Sequence, residues 1–328
     1  MSGGTSNSGP LIVIGLSAVV IAVRDGESVV LTVRPTGQPA GLPFGPFDPE
    51  ADRTFELALR DFVTAQTRFE LGYVEQLYTF GDKGRDAPLA DLGPSAASGG
   101  AGLRVVSVGY LGLAPRAVDT HAPDTAWADL RRFFPWEDWR EGRPAALTAM
   151  EPALAAWAGG EPARVARLKL LFAMDDAPWN EERVLERYEL IYESGLAPEA
   201  ARDRGEAPLP SLKDLAGALG EPMISDHRRI LATALSRLRG KLKYRPVIFE
   251  MMPQAFTLSA LQRAVEAVVG VTLHKQNFRR ALERTELVEG LGRTDQETGG
   301  RPAELFRFRR EILGSRPVSG LTLPLLRD

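Results

Sequence analysis

Cysteine is absent from all 328 residues of this chain, which removes disulfides, thiolate zinc sites and cysteine nucleophiles together and fits a cytoplasmic protein. Histidine is almost as scarce. His121, His227 and His274 lie far apart, without the spacing of metal ligands, so neither a metal centre nor a metal cofactor is expected. The apolar run Leu11 to Val23 covers only 13 residues and is broken by Gly15 and Ser17, too short to span a bilayer. No basic residue precedes it. It is therefore read as a buried strand rather than a secretory signal, with no membrane among the expected partners.

What is present is an ordinary globular composition, 44% hydrophobic and 25% charged, with length enough for two domains. The charge is unevenly placed. Ser225 to Ile312 carries 17 Lys and Arg against 10 Asp and Glu, a net of +7, so the overall −3 leaves −10 on the remainder. A basic module on an acidic body is the electrostatic footprint of a nucleic-acid-binding domain.

That basic module has an order of its own. Thr257 can cap a helix whose Leu258, Leu261, Val265, Val268 and Val269 share one face, and Gly270 is placed to end it. A second helix is predicted from His274 to Arg284. Its Phe278 and Leu282 would face the core, leaving Lys275, Gln276, Asn277, Arg279 and Arg280 outside. Arg reads guanine, Asn and Gln read adenine, and Lys neutralises phosphate, so that arc suits a major groove; a packed hairpin with a solvated charged face fits the pattern equally well. Two strand-like runs follow, Leu287 to Leu291 and Leu305 to Phe308. The Gly-rich loop between them, Gly292 to Pro302, is read as a wing with Arg293 and Arg301 at its ends. Upstream, Asp226 to Lys243 is a long amphipathic helix with Ile230, Leu231, Leu235, Leu238 and Leu242 on one side. Arg237, Arg239, Lys241, Lys243, Tyr244 and Arg245 at its far end are candidate phosphate contacts.

In the first half, Leu11 to Arg24 and Ser28 to Arg34 are strands joined by the turn pair Asp25-Gly26. Asp52 to Thr67 is a helix with Phe55, Leu59, Phe62 and Val63 inward; strands return at Tyr73 to Phe80 and Arg104 to Leu113, around a Pro/Ala/Ser/Gly loop from Ala87 to Gly102. The middle is less explicit. Trp127, Phe133, Phe134, Trp136 and Trp139 are expected in a core, helices are predicted over Pro144 to Ala158, Pro162 to Met174 and Asn180 to Ser194, with Asn180 as cap, and Pro198 to Ser211 reads as a polar linker.

Several segments carry a family resemblance. Leu42-Pro43-Phe44-Gly45 and Ala58-Leu59-Arg60-Asp61 resemble the opening and the helix of the Nudix motif, although Thr64, Ala65 and Thr67 stand where that motif has its Glu-Glu pair and Gly. More specific are Glu75-Gln76-Leu77-Tyr78-Thr79-Phe80-Gly81-Asp82 with Arg85-Asp86, and Val106-Ser107-Val108 with Tyr110. With Lys241 to Glu250, Asn277-Phe278-Arg279-Arg280 and Gly300 to Phe308, they are similar to the Nudix-related transcriptional regulators of NAD metabolism, of the NrtR type and its longer NadQ variant. The resemblance covers residues 11 to 113 and 179 to 313.

It implies an α+β protein: a Nudix-like α/β/α sandwich over 11–115 after a disordered 1–10, a helical extension over 116–210, a winged helix-turn-helix over 220–314 and a tail over 315–328. It further implies a homodimeric repressor of NAD biosynthesis genes that binds double-stranded operator DNA. The effector would be an adenine nucleotide (NAD, ADP-ribose or ATP) rather than a bound cofactor. Arg34 and Arg85 are the expected diphosphate contacts, Phe44, Tyr78 and Phe80 the walls for the base, and Asp82 and Asp86 the ribose acceptors. Asp61 alone cannot assemble the carboxylate cage that holds magnesium, so no enzyme is expected. The competing readings are an active pyrophosphohydrolase of ADP-ribose or NAD, and a regulator with a sugar effector.

Overall fold

The computed structural model describes residues 12–82, 84–85, 104–118, 120, 122–295 and 302–314. A mixed sheet organises the first half. Strands β1 (Ile12–Arg24), β2 (Glu27–Val33), β3 (Phe44–Pro46), β4 (Tyr73–Phe80), β5 (Arg104–Leu113) and β6 (Thr125–Asp129) take the order β4-β5-β1-β2-β6, with β3 also on β1. β1 and β5 run parallel from Ile12↔Arg104 to Ile21↔Leu113, whereas β1 and β2 form a hairpin. Its turn residues Asp25 and Gly26 both have positive φ (55° and 81°), the conformation for which that residue pair is suited.

Both faces of this sheet are covered, which explains why β1 is apolar almost throughout. Leu16, Ala18, Val20 and Ala22 alternate towards helix α1 (Phe55–Thr67), which contributes Ala58, Leu59 and Val63. α1 begins at Phe55 rather than at Asp52, and Thr54 caps it, accepting from the Leu57 amide at 3.2 Å. Val19 and Ile21 face the other way, into a core continuous with the rest of the molecule.

Between the large sheet and the C-terminal module lie α2 (Ala145–Ala158), α3 (Pro162–Phe172), α4 (Val184–Glu193), α5 (Pro198–Arg204) and α6 (Ala216–Leu219). The expected helices are present, but α4 begins at Val184 rather than Asn180, whose side chain instead accepts from the Glu182 amide within the preceding turn. The expected linker after Pro198 contains α5. Phe133, Phe134 and Trp136 are fully enclosed, as aromatics at that density require.

Next comes α7 (His227–Leu242), followed by a 3-10 turn (Val247–Met251), β7 (Phe256–Thr257), α8 (Leu258–Val269), α9 (Lys275–Thr285), β8 (Val288–Asp295) and β9 (Ala303–Phe308). α7 is buried on several sides. It packs on β1, β4 and β5, and so forms the second helical layer of the large sheet, while its later turns meet α8. The boundaries expected from sequence shift accordingly. β6 extends the sheet to Asp129, and α7, expected in the DNA-binding half, belongs equally to the N-terminal sandwich.

β7, β9 and β8 form a separate three-stranded sheet in that order behind α8 and α9, the arrangement of a winged helix. Thr257 caps α8 by accepting from the Ala260 amide at 3.1 Å, and Gly270 ends it at φ 73°. Only glycine serves at 270: a Cβ there would run into the carbonyl oxygen of Glu137. Trp139 donates its amide to the Gly270 carbonyl at 2.6 Å, so the middle segment and the winged helix meet backbone to backbone.

Candidate functional site

α9 presents two unlike faces. Phe278 and Leu282 are buried at 1% exposure each and anchor the helix, while Lys275, Gln276, Asn277, Arg279 and Arg280 are all exposed. None of these five makes a side-chain hydrogen bond or ion pair among the described residues. Five donors without protein partners, on one arc of a helix whose opposite side is fixed, leave that arc chemically available to phosphates and base edges. Arg293 on β8 is exposed as well; Arg301 lies outside the described residues.

The basic run on α7 has another role. Arg239 is 3% exposed and donates to the Glu137 carboxylate at 2.6 Å, to the backbone carbonyl of Glu181 at 2.9 Å and to that of Val268 at 2.8 Å. Arg187 of α4, fully buried, grips the same carboxylate with two further bonds at 2.5 and 2.8 Å. Burial alone would raise the pKa of Glu137, but the two guanidiniums hold it below the usual carboxylate value. Arg239 is therefore removed from the phosphate-contact set: it ties the middle segment, α4, α7 and the end of α8 into one core. Lys241 leaves the set as well, since its half-buried ammonium pairs with Glu75 on β4. Lys243 is exposed but pairs with Glu181 and Glu182, and Arg237 and Tyr244 remain free at the surface.

The expected ligand residues of the large sheet separate into groups. Tyr78, 60% exposed, stands edge-on to Phe80 with centroids 5.4 Å apart, but Phe80 itself is 4% exposed and belongs to the core. Phe44 is also buried; it meets the His227 ring edge-on at 4.9 Å, and its backbone amide is bound by Gln66 Oε1 at 3.2 Å. Arg34 lies elsewhere, exposed, 3.6 Å from Glu221. Neither phenylalanine is an open wall for a base. Asp86 falls outside the described residues.

Arg85 is not a free diphosphate contact either. Its fork is taken by Glu189 of α4 at 3.1 and 3.2 Å, Asp226 lies 3.7 Å away, and its guanidinium sits 3.6 Å from the centroid of the Tyr192 ring. Burial works against the charge on Arg85, yet these carboxylates raise its pKa above the usual arginine value. Arg229, one turn into α7, binds Asp82, Glu189 and Asp226 in turn. Hydrogen bonding to Arg229 lowers the pKa of Asp82, whereas burial pushes Asp226 up to about 7.

The first turn of α7 thus grips the chain around Asp82 and Arg85. It also grips the loop before β3, because the Leu42 amide donates to His227 Nδ1 at 3.0 Å and the Ile224 amide to the Ala40 carbonyl at 3.0 Å. Arg229, Glu189, Asp226 and His227 escaped the sequence reading. Apart from the Asp226–Arg229 pair, three residues apart on one helix turn, each partner lies dozens of residues away, and no local pattern singles these groups out.

Residues 248–308 match the family model of the NrtR DNA-binding winged helix domain. The C-terminal module is a winged helix of that type. The curated ADPR responsive transcriptional repressor NtrR of Acinetobacter baylyi is 39% identical over 93 residues, 28% of this chain; the match spans 36% of that relative's length. Over nearly the whole chain the fold is shared with solved structures. Shewanella oneidensis NrtR aligns at TM-score 0.53 and 20% identity over 90% of this chain and 94% of its own. Its complex with a 27mer DNA aligns at TM-score 0.51 and 20% identity, over 90% and 93%. A MutT/nudix family protein from Enterococcus faecalis aligns at TM-score 0.50 and 15% identity, over 94% and 90%. The architecture is an N-terminal mixed-sheet domain that shares the fold of these structures, joined to a C-terminal winged helix.

Proposed function

We propose that this protein is a ligand-controlled transcriptional repressor that binds operator DNA through its winged helix and senses an adenine nucleotide through its Nudix-type domain. The observation that carries the DNA-binding half is the arc of α9, where Lys275, Gln276, Asn277, Arg279 and Arg280 have no partners among the described residues. Lys275 and the arginines supply phosphate and guanine contacts, Gln276 and Asn277 contact adenine, and Arg293 at the base of the wing adds a backbone contact. The protein acts as a homodimer, because operator half-sites are related by two-fold symmetry. The regulated genes are those of NAD metabolism.

ADP-ribose is the favoured effector, since the Acinetobacter relative is named for its response to it. NAD and ATP share its adenosine and diphosphate chemistry. No hydrolysis accompanies binding in this reading: Glu56 on α1 is paired with Arg60, and Thr64 and Ala65 offer no carboxylate for magnesium. The test is a mobility shift on DNA from upstream of the protein's own gene, with ADP-ribose, NAD and ATP added separately. A specific complex that ADP-ribose alters supports the reading. Absence of any complex at low salt rejects the DNA-binding half, an unaltered complex rejects the sensing half, and magnesium-dependent release of AMP from ADP-ribose would make the protein an enzyme.

A further inference from the structure

We propose a second ligand site, for a small planar carboxylate, in the seam between the large sheet and the winged helix. A cavity of about 290 Å³ opens there between Tyr73 on β4, Lys241 and Arg245 at the end of α7, Val247 and Glu250 in the following 3-10 turn, and Phe308 on β9. That volume is at the lower edge of small-molecule pockets, which run from about 300 Å³ upwards, and suits one ring with a short acidic group. Two aromatic side chains line it. Phe308 is fixed by stacking on Phe249, with centroids 4.2 Å and planes 7° apart.

The charges on the wall do not cancel. Lys241 is paired with Glu75 and donates to the Tyr73 hydroxyl at 3.0 Å; Glu250 is paired with Arg310 at 3.1 Å. Arg245 has no carboxylate partner among the described residues, which leaves one guanidinium in excess. Burial, with help from Arg245, lowers the pKa of Lys241, in keeping with a partly desolvated wall short of negative charge. An unpaired guanidinium fork beside aromatic walls matches a planar carboxylate better than a neutral amide or an aliphatic acid. The occupant would touch β4, α7 and β9 together and so bias how the winged helix seats against the large sheet. Its lining includes none of the residues expected to meet the adenine nucleotide, and the proposal stands independently of that assignment.

The test uses the full-length protein and calorimetric or ligand-observed NMR titration with benzoate, its neutral counterpart benzamide, and cyclohexanecarboxylate. Benzoate is expected to bind, with benzamide and cyclohexanecarboxylate weaker by about tenfold or more. Arg245→Gln, an exposed position whose change leaves the core intact, is expected to weaken benzoate by a similar factor while leaving ADP-ribose affinity unaltered. Equal affinity for benzoate and benzamide, no binding of either, or undiminished benzoate binding by Arg245→Gln each overturns the proposal. If Arg245→Gln weakens only the complex with DNA, the guanidinium serves a backbone phosphate instead, and the site is likewise rejected.

Discussion

Replacing Arg239 by methionine separates a buried tie from a surface phosphate contact. In the folded chain Arg239 makes four hydrogen bonds: to the Glu137 carboxylate at 2.6 Å and its carbonyl at 3.2 Å, and to the carbonyls of Glu181 at 2.9 Å and Val268 at 2.8 Å. Methionine fills much of the space but supplies no donor. Glu137 is left with Arg187 alone, and carbonyls from two other segments lose a partner. Breaking a buried ionic group by deleting one member costs about 3–5 kcal/mol. At about 2–4 °C per kcal/mol for a unit of 150–250 residues, the thermal midpoint should fall by on the order of 10 °C. Differential scanning fluorimetry reads this directly, and a salt series of mobility shifts on the folded variant should keep the wild-type slope, because no phosphate contact has been lost. A variant that melts with the wild type yet loses affinity for DNA would refute the assignment of Arg239 to the core.

The opposite signature is expected for Arg279→Gln on α9: an unchanged melting temperature, weaker DNA binding, and a plot of log affinity against log salt shallower by about 1, read from the same two assays. His227→Gln should flatten the acid limb of the stability curve. Burial holds the His227 pKa at about 3 against 6.5 for the free side chain, so the unfolded chain takes up the proton first, and stability falls as pH drops from about 6.5 towards 3. The loss amounts to about 3 kcal/mol at pH 4. Asp226 slopes the other way: burial raises it to about 7 from 3.8, so it contributes stability at low pH that is lost as pH rises through 7. Denaturant midpoints of variant and wild type across that range isolate the histidine, and identical acid limbs would contradict a buried neutral ring. Thr257→Ala removes the cap of α8 and should cost about 1 kcal/mol by chemical denaturation, without changing which DNA sequences are preferred.

Much of the fold was legible because local chemistry and tertiary position agree. The Asp25-Gly26 turn, the Thr257 and Gly270 caps and the Phe278/Leu282 anchor of α9 each specify a conformation that the surrounding structure uses. The strands Tyr73–Phe80 and Arg104–Leu113 appear with the limits read from their patterns. β6 was hidden, since five residues with a single aromatic, Trp127, give a weak strand signal and are recruited only by pairing with β2. The basic end of α7 misled for a different reason. A sequence shows that Arg239 and Lys241 are cationic but not that Glu137 and Glu75, each more than one hundred residues distant, will meet them. Arg228 makes the same point: it is fully buried, donating to the Phe133 carbonyl at 2.6 Å and facing Glu199 at 3.4 Å. The expected ligand residues follow the same logic, because a family resemblance draws attention to Arg85 without revealing that Glu189 occupies its fork.

The double allegiance of α7 constrains how this protein can be taken apart. By chain order it precedes the winged helix; by contact it is a wall of the large sheet, with Ile230, Leu231 and Leu235 in the same core as Val19 and Leu111. A fragment ending near residue 210 would leave an apolar floor open to water and should be recovered as aggregate, whereas a cut between Arg245 and Phe256 keeps that floor roofed. Chimaeras that exchange one DNA-reading module for another should therefore be spliced after this helix.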